Sequence, residues 1–221
     1  MNTYISLCAC TMVTFLLSQL TDPEHKMRFS MVHVANSTLA GGVAIGTTAN
    51  VVLHPLHAAL VGTGAAIISV LGYAYLTPFM AKKFSIHDTC GVNNLHGMPG
   101  LYAGILGFIF AAAYEPAKYG ESLGIIYPAM IATDVKARTP IIQACFQLAG
   151  LALVLGCAIL SGAITGLILK LKLWNQVREK EYYSDGDYFE TPGDYDFMTR
   201  IISKIDHVEL TEHSYLTHKD G

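Results

Sequence analysis

Long stretches without charge constrain this chain more than any other feature. Residues 29–81 contain no Asp, Glu, Lys or Arg, and the same holds for residues 89–114 and 139–169. A helix needs about 20 mostly apolar residues to cross a hydrocarbon core about 30 Å thick. Charged residues make up only 14% of the chain, well below the roughly 25% usual in soluble domains. The sequence therefore predicts an all-α fold, a polytopic membrane helix bundle.

The uncharged stretches and the apolar N-terminus divide into about five transmembrane helices. The His54-Pro55 pair interrupts the longest stretch, because proline disfavours helix at the residue before it and cannot continue the hydrogen-bond ladder. The predicted spans are residues 2–20, 31–53, 56–80, 92–114 and 140–170. Residues 1–173 then form a transmembrane domain surrounded by membrane lipid.

Positive charge near the span ends predicts the orientation of the bundle. Eight Lys or Arg residues flank the spans on one side and three on the other, and the cytoplasmic side carries the excess. Residues 174–221 follow the richer side, so we predict an acidic cytoplasmic tail. Apolar residues at helical spacing near 195–209 indicate a short amphipathic helix in this tail, either as a docking element or as a marginal helix without function.

Glycines at helical spacing indicate close packing between helices. Gly42 and Gly46 form a GxxxG pair, and Gly97, Gly100 and Gly104 repeat the device in the fourth span. Small residues let helix backbones approach where lipid supplies no hydrophobic drive. We expect these five glycines to lie at helix contacts.

The sequence contains no pattern typical of catalysis or of a cofactor site. It has no nucleotide-binding loop and no nucleophile elbow, so we expect neither an enzyme nor a cofactor. The His54 and His57 pair lacks a third ligand, and the five cysteines show no zinc spacing, so we expect no metal. No basic patch is present, which argues against a nucleic-acid partner.

One imidazole, His96, lies inside the fourth span. Asp88, eight residues earlier, predicts a helix start, since a carboxylate there accepts free backbone N–H groups. Eight residues place His96 about 12 Å deeper, toward the bilayer centre. We expect a neutral imidazole that faces the bundle interior or a narrow path, where it offers one donor and one acceptor. His96 and Val92, which shares its face, are thus candidate transport-pore residues, with plain packing or a pH-sensing role for His96 as alternatives.

Four segments together resemble a known family. They are "NTYISLCAC", "MVHVANSTLAGGVAIGT", "LGYAYLTPF" and "HDTCGVNNLHGMPGLYAG", and they are similar to segments of the Rh glycoproteins, the animal branch of the ammonium transporter family, in the same order. The resemblance implies channel-like transport of ammonia and ammonium, and also of carbon dioxide, by a homotrimer in the plasma membrane. It further implies that each subunit consists of two inverted repeats.

The resemblance also implies roles for two residues. His96 matches the second of two pore histidines that share a hydrogen bond, and Asp88 matches a structural anchor at the helix start. The chain is roughly half the family length and matches the second inverted repeat, so we expect the first repeat, with the partner histidine, to be missing. His33, His54, His57 and His87 lie near predicted span ends, where none is expected to replace it.

Two interpretations follow from this match to half of a transporter. In the first, the chain is a truncated form of an Rh-type transporter, with ammonium transport as the parent function. In the second, it is a non-transporting membrane subunit that co-assembles with full-length relatives and modulates them through its tail.

Overall fold

The computed structural model describes residues 1–24, 26–133 and 136–177, which contain helices and no strands. The α-helices are α1 (Asn2–Leu20), α2 (Met31–Asn36), α3 (Ala40–Ile45), α4 (Pro55–Leu71), α5 (Thr77–Phe84), α6 (Met98–Ala113), α7 (Leu123–Ile126) and α8 (Pro140–Leu169). The predicted amphipathic helix near 195–209 and the acidic tail from residue 178 lie outside the described residues.

Four helical stretches are long and apolar enough to cross a membrane. They are Asn2–Leu20, Pro55–Phe84, Asn93–Ala113 and Pro140–Leu169. Each of them overlaps one of the predicted spans along most of its length. The described chain is an all-α membrane helix bundle.

The predicted span at 31–53 differs from the structure. Helices α2 and α3 are joined by a 3₁₀ segment, and the helix ends at Ile45. Beyond it the chain turns on Thr48, whose N–H donates to the carbonyl of Ile45 and whose carbonyl accepts from Val51 and Val52, each at 2.9 Å. Glycine, threonine and asparagine are poor helix formers, and they occupy four of the five positions 46–50, with Ala49 as the exception. The helical part of this segment is therefore shorter than predicted.

Helix α1 packs through a stripe of small polar side chains spaced one turn apart. The buried members are Ser6, Cys10, Thr14 and Ser18. The Ser6 hydroxyl donates to the carbonyl of Gly41 at 2.8 Å, and the Cys10 thiol donates to the carbonyl of Ser37 at 3.0 Å. Small side chains and interhelical hydrogen bonds of this kind hold membrane helices together.

Two glycines, Gly41 and Gly62, lie directly against the backbone region of α1. A Cβ on Gly41 would lie 2.5 Å from the Cβ of Cys10. A Cβ on Gly62 would overlap the Ser6 carbonyl group and lie 2.9 Å from the Ser6 Cα. Because the obstructing atoms belong to or adjoin the backbone of α1, only glycine fits at these positions.

The five predicted packing glycines divide into two groups. A Cβ on Gly42 would lie 3.1 Å from Leu7, and one on Gly104 would lie 2.5 Å from Leu151, so both face a second helix. The prediction is wrong for the other three within the described residues. The nearest atoms around Gly46 and Gly97 belong to their own helical turns, and a Cβ on Gly100 would meet nothing within 4 Å.

Two π-helical segments interrupt the long helices. Gly72–Leu76 precedes Pro78, and Asn93–Gly97 precedes Pro99. Proline cannot donate a backbone hydrogen bond, and its ring clashes with the carbonyl four residues earlier. A turn widened by one residue accommodates both effects. These segments set the direction of the side chains around His96.

Asp22 organises the loop after α1. Its carboxylate accepts hydrogen bonds from the backbone N–H groups of Glu24, Lys26 and Arg28 at 3.1–3.2 Å, and from the Arg28 side chain at 3.4 Å. The Asp22 side chain is 4% exposed. Hydrogen bonds from the side chain and the backbone of Arg28 hold the pKa of Asp22 well below its usual range.

We expect Asp22→Asn to lower the melting temperature at neutral pH. Because the pKa of Asp22 is depressed in the folded state, its stabilisation is present above the unfolded pKa of about 3.9 and is lost as pH falls below it. Thermal unfolding in detergent should show the largest wild-type-to-variant difference at pH 7 and a smaller one toward pH 3.

Glu115→Gln serves as the control, since this side chain is 75% exposed and lies 3.7 Å from Lys118. Its effect should be close to zero at every pH. A difference for Asp22→Asn that does not change with pH would contradict the role assigned to the carboxylate.

The end of the described chain, from Ile164, forms a separate unit. Within it, the Trp174 indole N–H donates to the carbonyl of Ile168 at 2.7 Å, and the Gln176 amide donates to the carbonyl of Leu169 at 3.0 Å. These bonds satisfy carbonyls that the end of a helix leaves free.

Candidate functional site

Asp88 holds the start of the helix that carries His96. Its two carboxylate oxygens accept hydrogen bonds from the backbone N–H groups of Val92 and Asn93, each at 2.9 Å. The helix begins at Val92, and residues 88–91 precede it. His96 therefore lies about 6 Å along the helix at 1.5 Å per residue. The predicted distance of about 12 Å assumed a helix from Asp88 onward, whereas the four residues before Val92 are not helical.

Two further hydrogen bonds fix this helix start. The Tyr73 hydroxyl donates to the carbonyl of Gly91 at 2.9 Å, and the Asn94 amide donates to the Thr77 hydroxyl at 2.7 Å. Gly91 has a φ of +68°, a conformation that favours glycine, and a Cβ there would overlap the Tyr73 hydroxyl. The start of the helix that carries His96 is therefore tied to the preceding helical stretch through Tyr73 and Thr77.

The imidazole of His96 points away from the packed core of the described bundle. His96 is exposed, Val92 is 54% exposed, and a Cβ added to the partly buried Gly100 would meet no other described element within 4 Å. We call these three residues the open face. The sequence predicted that His96 would face the bundle interior or a narrow path. Within the described residues His96 lies on an exposed face and not in the packed core.

The π-helical turn explains why His96 leaves the core. In a regular helix His96 would continue the buried stripe of Pro99, Ala103 and Gly107, because residues three, four and seven apart share a face. The widened turn at Asn93–Gly97 inserts one residue, which rotates the preceding side chains by about 100°. The same turn places Asn94 in the core instead, where it is fully buried.

Two further histidines, His33 and His57, belong to the packing of the bundle. His33 is buried, and its Nδ1 lies 3.1 Å from the Ser18 hydroxyl. His57 forms a hydrogen bond with the Tyr114 hydroxyl and stacks on Phe110 at a centroid distance of 6.3 Å. Sequence reasoning missed the His33 site, although the four-residue spacing of small polar residues in α1 was a signal for it.

No group of three or more His, Cys, Asp or Glu side chains in residues 1–24, 26–133 and 136–177 is arranged to hold a metal ion. The His54 and His57 rings lie 5.4 Å apart in an edge-to-face arrangement. This contact is part of an aromatic cluster with Tyr114 and Phe110.

We expect Asp88→Ala to destabilise the protein by about 1–2 kcal/mol, because it removes the acceptor of two helix-start N–H groups. Thermal unfolding in detergent measures the effect. Thr89→Ala is the matched control, since Thr89 is the exposed neighbour and should tolerate the change. Equal melting temperatures for the two variants would show that the carboxylate does not anchor the helix.

Comparisons with known proteins agree on one family. A family model described as Ammonium Transporter Family matches residues 1–188. Ammonium transporter Rh type B of Danio rerio is 43% identical over 211 residues, which cover 96% of this chain and 43% of that protein. Ammonium transporter Rh type B-B of Xenopus laevis is 45% identical over 193 residues, covering 87% of this chain and 41% of the relative.

A solved structure is similar as well. It is described as Nitrosomonas europaea Rh50 and the mechanism of conduction by the Rhesus protein family of channels. Its TM-score is 0.64 at 30% sequence identity, and the match covers 95% of this chain and 46% of that one. The chain thus spans less than half the length of these relatives.

Proposed function

The chain belongs to the ammonium transporter family, and from this premise we propose that it forms one wall of a membrane path for ammonia and ammonium. The observation that carries the proposal is the position of His96, whose backbone is anchored through Asp88 while its ring projects from the open face. In this proposal the chain corresponds to the second inverted repeat of an Rh-type transporter.

The chemistry of the open face suits a small neutral solute. A charge inside the membrane is expensive, so ammonium transfers its proton to water at the entrance and passes the apolar part of the path as ammonia. The neutral imidazole of His96 offers one donor and one acceptor, which matches the lone pair and the N–H groups of ammonia. Val92 supplies an apolar lining beside it, and carbon dioxide, which is uncharged, is compatible with the same lining.

A path along the open face needs a second wall, because His96 and Val92 are exposed and the space beside Gly100 is empty within the described residues. We propose that further residues supply it, from the same polypeptide or from another chain. The complete assembly is proposed as a homotrimer in the plasma membrane, with the segment from residue 174 on the cytoplasmic side. Such transport requires no covalent step, and we assign no enzymatic activity or cofactor.

A second function is favoured by the exposed apolar surface of α8. Leu153, Val154 and Ile159 are 65–72% exposed, and extensive apolar surface marks contacts with protein or lipid. In this alternative the chain is a non-transporting subunit that co-assembles with full-length relatives and modulates them.

Reconstitution into vesicles separates these functions. The 221-residue chain is compared with the full-length Danio rerio relative and with a chimera in which these 221 residues replace the matching segment of that relative. The one-wall proposal predicts methylammonium uptake by the chimera and uptake close to that of empty vesicles by the chain alone. Uptake by the chain alone at the full-length rate would contradict the one-wall arrangement.

The modulator function predicts that the tagged chain co-purifies with the full-length relative and changes its uptake rate. Failure to co-purify, or co-purification without any change in rate, would remove this alternative.

A further inference from the structure

A groove of about 500 Å³ opens between the stretch Pro55–Phe84 and the helix that carries His96. Gly72 forms part of its floor and Met98 part of one wall. A Cβ on Gly72 would overlap the Met98 side chain, so the two helices meet closely there. Tyr75 and Phe79, which are 64% and 50% exposed, border the opening.

The length of the groove matches one leaflet of a bilayer. It is lined from Ile68 to Phe79, and eleven helical residues rise about 16 Å. Half of a hydrocarbon core about 30 Å thick is about 15 Å. An acyl chain lying in the groove would therefore extend from the bilayer centre to its polar border.

Two positive charges stand at the Phe79 end of this groove. Lys82 and Lys83 follow Phe79 by three and four residues and so share its face, and both are exposed. The Lys83 ammonium lies 5.4 Å from the centroid of the Phe79 ring and 5.7 Å from that of Phe84. Cation–π contacts of this kind restrain a lysine head, which places a charge beside the groove. Asp88, the acidic residue of the next loop, already accepts two backbone hydrogen bonds.

We propose that this groove binds an anionic glycerophospholipid. One acyl chain lies along Ile68, Tyr75 and Phe79, and the phosphate of the head group contacts Lys82 and Lys83. The groove is complementary to a lipid with a negatively charged head group, because it is apolar, about one leaflet long and bordered at one end by two ammonium groups. In the predicted orientation these lysines face the cytoplasmic leaflet, which carries the anionic lipids.

Lipid binding to the purified 221-residue chain tests the site, by native mass spectrometry with phosphatidylglycerol and phosphatidylcholine of identical acyl chains. We expect phosphatidylglycerol to bind more tightly. Lys82→Gln and Lys83→Gln should each weaken its binding about fivefold and leave phosphatidylcholine unchanged. Lys118→Gln and Lys136→Gln are the matched controls and should change neither lipid.

A second variant tests the groove itself. Leu71 lines it and is 40% exposed, so Leu71→Trp should obstruct the groove and weaken the binding of both lipids without changing the melting temperature in detergent. Equal affinity for the two lipids, or lysine variants that behave like their controls, would overturn the proposal. A third outcome would also overturn it. If Leu71→Trp leaves lipid binding intact and changes the oligomeric state, the groove holds protein and not lipid.

Discussion

Gly62→Ala is expected to lower the free energy of unfolding by about 3 kcal/mol, since the added carbon overpacks the α1–α4 contact. The new Cβ would overlap the Ser6 carbonyl group and lie 2.9 Å from the Ser6 Cα. Backbone atoms cannot rotate away as a side chain can, so α1 must separate from α4. That movement also strains the hydrogen bond from Ser6 to Gly41, now 2.8 Å. Thermal unfolding in detergent measures the loss.

Gly156→Ala is the matched control for this substitution. Gly156 lies within α8, and an added Cβ there meets no described atom within 4 Å. Alanine favours helix over glycine by up to about 1 kcal/mol, so stability should be unchanged or higher. If Gly62→Ala and Gly156→Ala melt at the same temperature, the close approach of α1 and α4 is wrong.

His96→Ala in the chimera is expected to reduce methylammonium uptake about tenfold. Loss of a hydrogen-bond partner in a site shielded from water costs about 1–3 kcal/mol, and 1.4 kcal/mol corresponds to a factor of ten. The initial rate of uptake per reconstituted protein is the measurement. The melting temperature of the variant is measured alongside, so that a loss of uptake in a folded chimera is separated from unfolding.

His54→Ala is the matched control for His96. His54 is also exposed and precedes Pro55 at the start of α4, away from the open face. Its uptake should equal that of the unmodified chimera. Equal rates for His54→Ala and His96→Ala would exclude His96 from the permeation path.

The absence of charge in residues 29–81, 89–114 and 139–169 was sufficient to predict a membrane helix bundle. The end of the second span was not predictable in the same way, because apolar length does not show where glycine and threonine form a turn. Thr48 closes that turn through contacts with Ile45 and Val52. The role of Gly62 was not predictable either. The sequence shows that position 62 is a glycine, but only the structure shows that the backbone of α1 lies against it.

The sequence predicted the helix start at Asp88 but not the direction of the His96 side chain. Asp88 and His96 are apparent from the sequence, and the carboxylate accepts hydrogen bonds at the helix start as a helix anchor does. The direction of the imidazole depends on the π-helical turn before Pro99, which shifts His96 off the buried stripe. If a regular helical period is assumed through Pro99, His96 is assigned to the buried face of the helix, which is wrong.

Uptake by the unmodified chimera tests the central claim most directly, namely that this chain forms one wall of an ammonium path. The account predicts methylammonium uptake well above that of empty vesicles and comparable to that of the full-length Danio rerio relative. A chimera that folds, inserts into the vesicles and takes up no more methylammonium than empty vesicles would contradict it.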